Sequence, residues 1–180
     1  MEKKTYKMNI AGLPRELTLY PVSDKLDIAA FILFGDVEVT VAAAKQLLEK
    51  VPEFDAIVTP EAKSIPLAYE MARQSGKPYI VARKGVKVYM RNPLEVSVTS
   101  ITTQKEQRLF LGETEVNMIK GKRVLIVDDV ISTGESLKAL EKLVEGAGGE
   151  IAAEAAVLAE GDAADRTDII FLEKLPLFFK

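Results

Sequence analysis

The chain has 180 residues, 48% hydrophobic and 28% charged, a balance that suits one domain with a sizeable core and excludes a disordered polymer. Its 24 Lys and Arg against 27 Asp and Glu leave a net charge of -3, without the basic excess of a nucleic-acid binder, although local basic clusters can still hold anions. Cysteine and histidine are absent, which excludes disulfides, thiolate nucleophiles, Cys- or His-ligated metals and the usual general base near neutral pH, so any chemistry rests on carboxylates, Lys, Arg, hydroxyls, tyrosines and backbone amides.

In chain order, Met1 to Val22 predicts two short strands about the Gly12-Leu13-Pro14 turn signal. LDIAAFILFGD, from Leu26, is compatible with helix or strand, and a short helix is the expectation. Asp36 is placed to cap the helix VEVTVAAAKQLLEKV, whose Val37, Val41, Ala44, Leu47, Leu48 and Val51 recur at helical spacing. FDAIVT reads as a buried strand, and Lys63 to Ser75 as a helix with Pro66 in its first turn and Gly76 as its stop. PYIVAR is the next strand. VKVYMRNPLEVSVTSITTQKEQRLFLG, rich in β-branched residues and broken by Arg91-Asn92-Pro93, predicts a hairpin-like excursion. RVLIVDD has the near-continuous apolar run of a strand buried on both faces of a parallel sheet. Glu135 to Gly146 is an amphipathic helix through Leu137, Leu140, Leu143 and Val144, and EIAAEAAVLAE and DIIFLEKL supply later strands. Strands alternating with helices predict an α/β fold with a mostly parallel sheet flanked by helices, in one domain without internal repeats.

The stretch RVLIVDDVISTGES, Arg123 to Ser136, sets two acids between an apolar strand and a glycine-containing turn. In an open parallel sheet, ligands sit beyond the carboxyl ends of the strands. Unpaired N–H groups at the start of the next helix favour an anion, Gly134 lets the backbone approach it, and Thr133 and Ser136 offer hydroxyls, so a phosphate fits the turn. Like charges repel, so Asp128 and Asp129 must face a neutral or cationic part of the same ligand, a sugar diol or hydrated Mg²⁺. The combination points to a 5′-phosphorylated ribose. The residue types alone also allow a plainer reading, in which Asp128 and Asp129 end a strand and Ser132 caps a helix.

VLIVDDVISTGES resembles the phosphoribosyl pyrophosphate motif of type I phosphoribosyltransferases: apolar strand, two acids, two mostly apolar residues, then a short Thr-Gly-x-Ser/Thr loop. The resemblance implies that Asp128 and Asp129 hold the ribose hydroxyls, that Val130 belongs to the same binding stretch, and that Ser132, Thr133, Gly134, Glu135 and Ser136 wrap the 5′-phosphate, Glu135 at a variable position. No Walker phosphate loop occurs, and GAGGE lacks the preceding strand of a dinucleotide fingerprint. Upstream, VTPEAKSIPLAYEMA is similar to the family's pyrophosphate loop and helix: Ala62 and Lys63 match its small residue and base, whereas Ser64 stands where glycine is usual. YIVARKGVKVYM resembles the Arg-Lys segment of the purine enzymes, which implies pyrophosphate contact by Arg83, Lys84 and Lys87, with Lys84 joining Asp128 and Asp129 as catalytic residues; a solvated basic turn is the alternative. SVTSITTQKEQRLFL is similar to the corresponding stretch of bacterial xanthine phosphoribosyltransferases and of the related purine-operon repressor. The resemblance runs from about Phe54 to Glu160.

What it implies is a single domain over residues 1–180, with a core over about 36–160 and a small hood from the termini. The implied activity is a purine phosphoribosyltransferase: a ring nitrogen attacks C1 of phosphoribosyl pyrophosphate and expels pyrophosphate through an oxocarbenium-like state. No protein nucleophile is needed, which suits a chain without Cys or His. Mg²⁺ is the expected cofactor, carried largely by pyrophosphate oxygens rather than by protein ligands. Ser132 replaces the aspartate usual in hypoxanthine-guanine enzymes, and DIIFLEKLPLF is similar to the ending of adenine enzymes, so adenine or xanthine is the expected base. Glu106 is either a proton acceptor or an exposed charge. One rival is a regulator that senses phosphoribosyl pyrophosphate without consuming it; the stretch before the core is shorter than a winged-helix domain with its linker requires, and the net charge is negative. Another is an orotate or pyrimidine enzyme, which shares the ribose motif. No apolar run reaches membrane-spanning length and MEKKTYKMNI lacks the apolar core of a signal peptide, so a cytoplasmic homodimer with no nucleic-acid or membrane partner is expected.

Overall fold

A computed structural model describes residues 4–99 and 106–180. Ala11 and Gly12 both take positive φ, 52° and 83°, the demand of a tight hairpin turn, and β1 (Thr5–Ile10) folds back antiparallel on β2 (Leu13–Ser23). β3 (Leu26–Ala29) pairs with β2 and, along its other edge, with β11 (Phe178–Phe179). The two ends of the chain thus share one four-stranded sheet, joined further by the Asp27–Lys180 ion pair at 2.7 Å. This corrects the helix expected over Leu26 to Asp36. From Asp27 to Leu33 every second residue (Asp27, Ala29, Phe31 and Leu33) is buried, the two-residue period of an extended chain.

The Asp36 side chain accepts a hydrogen bond from Val39 N at 3.2 Å and caps α1 (Val37–Leu48), as expected. The buried stripe is Val39, Thr40, Ala43, Ala44 and Leu47, while Val37 and Val41, assigned to it from spacing, are exposed. Small side chains at 43 and 44 let the backbone approach its neighbours, and close packing outweighs two valines in choosing the face. α2 (Ile65–Ser75) starts with Pro66 in its first turn and stops at Gly76, whose φ is 69°.

The central sheet has the order β10-β9-β8-β4-β5, all parallel, from β4 (Ala56–Pro60), β5 (Tyr79–Ala82), β8 (Arg123–Ile131), β9 (Glu150–Glu160) and β10 (Ile170–Leu175). β10, which lies past residue 160, is its edge strand. One face packs on α1, α2 and the terminal sheet through Ile57, Leu67, Met71, Leu125 and Val127. The other packs Val58, Ile126, Leu140 and Leu143 beneath α4 (Glu135–Gly146). Removing one of these fully buried Leu or Ile side chains to Ala costs about 2–5 kcal/mol.

The excursion is realised as an antiparallel pair, β6 (Leu94–Thr99) and β7 (Glu106–Leu111). Residues 100–105, within the expected hairpin, lie outside the described residues. VKVYM forms no strand, and α3 (Glu113–Ile119) was not anticipated. Glu106 opens β7 with an exposed side chain that accepts from Ser97 Oγ at 2.8 Å.

Candidate active site

All five central strands point their carboxyl ends to one edge, where the loops after β4, β5 and β8 converge. β8 does not end at its acids: Val130 and Ile131 still pair with Leu158 and Ala159 of β9, which corrects the reading of Asp128 and Asp129 as a strand terminus. Neither does Ser132 cap α4. The residue before the helix is Gly134, with φ 77° and no capping side chain, a left-handed backbone that favours glycine.

The two carboxyl groups lie close enough to hydrogen-bond each other and line one cleft. Asp129 is buried on the α2 side, its Oδ2 3.1 Å from Lys63 Nζ. Asp128 Oδ1 accepts from Asp129 N at 2.8 Å. Burial first, and then the adjacent Asp129 charge, push the Asp128 carboxyl well above the usual carboxylate range, with Lys63 opposing.

Lys63 is exposed on the loop that leads from β4 into α2, in which the Glu61–Ala62 peptide is cis. Ser64, where the family usually has glycine, has φ −86°, an ordinary right-handed geometry open to any residue. Its buried hydroxyl lies 2.8 Å from Thr59 Oγ1 and donates to the Pro60 carbonyl at 3.2 Å; Thr59 Oγ1 is also 2.8 Å from the Val127 carbonyl. The serine thus ties this loop to β4 and β8.

After β5, Arg83 pairs its backbone with Phe110 of β7. Glu61 gathers this segment: its Oε2 accepts from Lys84 N at 2.9 Å and its Oε1 lies 3.3 Å from Arg83 Nη2. The Lys84 amide, followed by the charges of Arg83, Lys87 and Lys84, holds the Glu61 carboxyl below its usual range against the cost of burial. The Lys84 side chain is exposed and makes no hydrogen bond or ion pair with a described residue.

A cleft of about 190 Å³ collects these groups. Of the residues singled out from sequence it is lined by Ala62, Lys63, Ser64, Lys84, Asp128, Asp129, Val130 and Ser136, together with Glu61, Gln107 and Leu109. Ser132, Thr133, Gly134 and Glu135 form the adjoining turn and the start of α4, and Arg83 and Lys87 are not among the residues that line the cleft. Glu61 was missed although it directly precedes Ala62 in the TPEAK loop. Gln107 arrives on β7, where its Oε1 accepts from Ser136 Oγ at 3.2 Å; no local motif marks it.

A parallel sheet with two acids near the end of its central strand, a glycine turn opening α4 and a facing basic loop define an α/β fold of the type I phosphoribosyltransferase class. The family model described as a phosphoribosyl transferase domain matches residues 38–174, and the chain belongs to this family. It is 35% identical over 145 residues to a hypoxanthine/guanine phosphoribosyltransferase of Methanococcus voltae, covering 80% of this chain and 71% of the relative. It is 39% identical over 128 residues to an adenine phosphoribosyltransferase of Thermosipho africanus, covering 67% and 69%. Among solved structures, adenine phosphoribosyltransferase from Thermoanaerobacter pseudethanolicus superposes with a TM-score of 0.67 at 26% identity, over 79% of this chain and 84% of that one. The Saccharomyces cerevisiae adenine enzyme shares the fold with a TM-score of 0.69 at 23% identity, over 87% and 93%. The chain is a transferase of the purine phosphoribosyltransferase group, whose relatives carry both adenine and hypoxanthine/guanine names.

Proposed function

We propose that this chain moves the 5-phosphoribosyl group of phosphoribosyl pyrophosphate to adenine, with xanthine as the second candidate, and releases pyrophosphate. The observation that carries this reading is the meeting of Asp128 and Asp129 with Lys63, Lys84 and the Ser136 hydroxyl in one cleft. In it the two carboxylates take the ribose hydroxyls, Ser132 to Ser136 take the 5′-phosphate, and Lys63 and Lys84 take the pyrophosphate, with Arg83 and Lys87, whose charges act on Glu61, adding to the local positive field. Lys63 exchanges its pairing with Asp129 for the ligand. Lys84 is positioned through its backbone by Glu61, which leaves its ammonium for the leaving group. As the ring nitrogen bonds to C1, the C1–O bond breaks, its electron pair leaves on pyrophosphate, where these cations stabilise it, and the ring N–H proton passes to water or to the departing pyrophosphate. Asp128 and Asp129 supply hard oxygen donors that suit Mg²⁺ held through water, and the ion, when bound, would neutralise pyrophosphate charge. The choice of adenine rests on the Thermosipho relative and on Ser132 in place of an aspartate. The sheet shared by the termini is the element we assign as the hood, and a cytoplasmic homodimer completes the reading.

The test is incubation with phosphoribosyl pyrophosphate, Mg²⁺ and, in turn, adenine, xanthine, hypoxanthine, guanine, uracil and orotate, following pyrophosphate and nucleoside monophosphate. We expect product with a purine and none with uracil or orotate. Tight binding of phosphoribosyl pyrophosphate without product from any base would replace the enzyme by a sensing regulator.

A further inference from the structure

One guanidinium outside the sequence motifs stands directly on the glycine turn. β9 ends beside β8, with Ala159 in register with Ile131, so the loops that follow these strands are neighbours. A 3-10 turn, Gly161–Asp165, carries the chain from β9 to Arg166. A Cβ built on Gly134 would come 3.0 Å from Arg166 Nη1. A side chain at 134 would therefore press on this group, which would have to give by a few tenths of an ångström, in addition to the strain of a φ of 77°.

The guanidinium is held by its other edge. Nε and Nη2 donate to the two oxygens of Asp168 at 2.9 and 2.7 Å, and Nη2 lies 3.8 Å from Glu154 on β9. This fork–fork clasp fixes the plane of the group. Nη1 makes no hydrogen bond to a described residue, so its N–H groups are left over at the turn. Beneath it, Glu154 meets Glu141 of α4; burial, then Glu141, push the Glu154 carboxyl above its usual range. A protonated Glu154 leaves the guanidinium charge less fully cancelled than three carboxylates would.

We propose that Arg166 binds the 5′-phosphate of the phosphoribosyl ligand, its Nη1 edge completing from the loop after β9 the anion site that Ser132 to Ser136 form. This rests on the reading of that turn as the ribose 5-phosphate site. A phosphomonoester dianion is the chemistry that matches a clasped guanidinium with free donors beside helix N–H groups. Pyrophosphate is assigned instead to Lys63 and Lys84, on the loops after β4 and β5, and Arg166 is not among the residues lining that cleft.

Titration of the full chain with ribose 5-phosphate and, separately, with inorganic pyrophosphate tests the assignment. Arg166→Gln should weaken ribose 5-phosphate at least about tenfold, as expected for a lost charge-assisted contact, with pyrophosphate affinity held within about twofold. The KM for phosphoribosyl pyrophosphate should rise while kcat at saturation stays within about threefold, the pattern of uniform binding. Arg166→Lys, which keeps the charge, should recover part of the loss, and it decides the matter should the Gln variant fail to fold. Unchanged ribose 5-phosphate affinity, with or without a lower melting temperature, would make Arg166 a brace and overturn the proposal. Equal losses for both ligands would also overturn it, because the whole site would then have shifted. Wild-type protein that binds pyrophosphate but not ribose 5-phosphate would instead sink the underlying reading of the turn, and this assignment with it.

Discussion

Asp128→Asn should be more stable than the wild type by a margin that grows as pH rises, even as it removes function. Asn keeps the size of the side chain and an Oδ1 that can accept from Asp129 N, the 2.8 Å bond seen here. What it removes is a charge that burial and Asp129 disfavour. The unfolded Asp has a pKa of about 3.9, and the folded carboxyl titrates above it. Between the two values the folded state binds the extra proton, so wild-type stability falls as pH rises through that window and levels off above it. Below pH 4 the group is protonated in both states and the two proteins should melt together. Each tenfold weakening of the acid costs about 1.4 kcal/mol, and Lys63 and water at the mouth of the cleft moderate the penalty. An advantage of about 1.5–3 kcal/mol for the variant at pH 8 is therefore expected, about 5 °C in melting temperature for a chain of this size. Ligand-free thermal melts of both proteins from pH 4 to 9 measure it. A difference that stays flat across that range, or a variant less stable at pH 8, would refute the argument and mean that Asp128 is solvated like a surface acid.

Asp128→Asn combined with Asp129→Asn should abolish turnover of phosphoribosyl pyrophosphate with the circular dichroism spectrum unchanged; wild-type rates would end the assignment of the pair. Gly134→Val should weaken any 5′-phosphate ligand at least tenfold, about 1.4 kcal/mol or more, because a β-branched residue resists φ 77° and its Cβ meets Arg166; calorimetry with a nucleoside 5′-monophosphate reads this directly. Lys84→Ala should lower kcat/KM by about ten- to a thousandfold and leave nucleoside monophosphate binding nearly untouched. The opposite split, weaker monophosphate binding at normal saturated turnover, would move the pyrophosphate elsewhere. Thr59→Val should lower stability by about 1–3 kcal/mol, since it strips a bonding partner from the buried Ser64 hydroxyl; an unchanged denaturant midpoint would show that water replaces it.

Signals local in the chain were legible without the structure. The apolar run of β8, the helix of Glu135 to Gly146, the Asp36 cap and the Gly76 stop each follow from a few adjacent residues whose backbone preferences or hydrogen bonds act over one turn. The DDVISTGES stretch belongs with them as a shape, because strand, acids, glycine turn and helix are consecutive. Tertiary structure decided the rest. Whether Leu26 to Asp36 is helix or strand depended on an open edge of β2 and on a partner, Phe178–Phe179, at the far end of the chain. Which face α1 buries depended on how closely α2 and the sheet could approach its alanines. Glu61, Gln107 and Arg166 carry no motif, and their roles arise where loops from β4, β7 and β9 converge beyond the strand ends. A side chain's local sequence sets what chemistry it offers, but its partners are chosen by whichever distant segments the packed sheet brings within bonding distance.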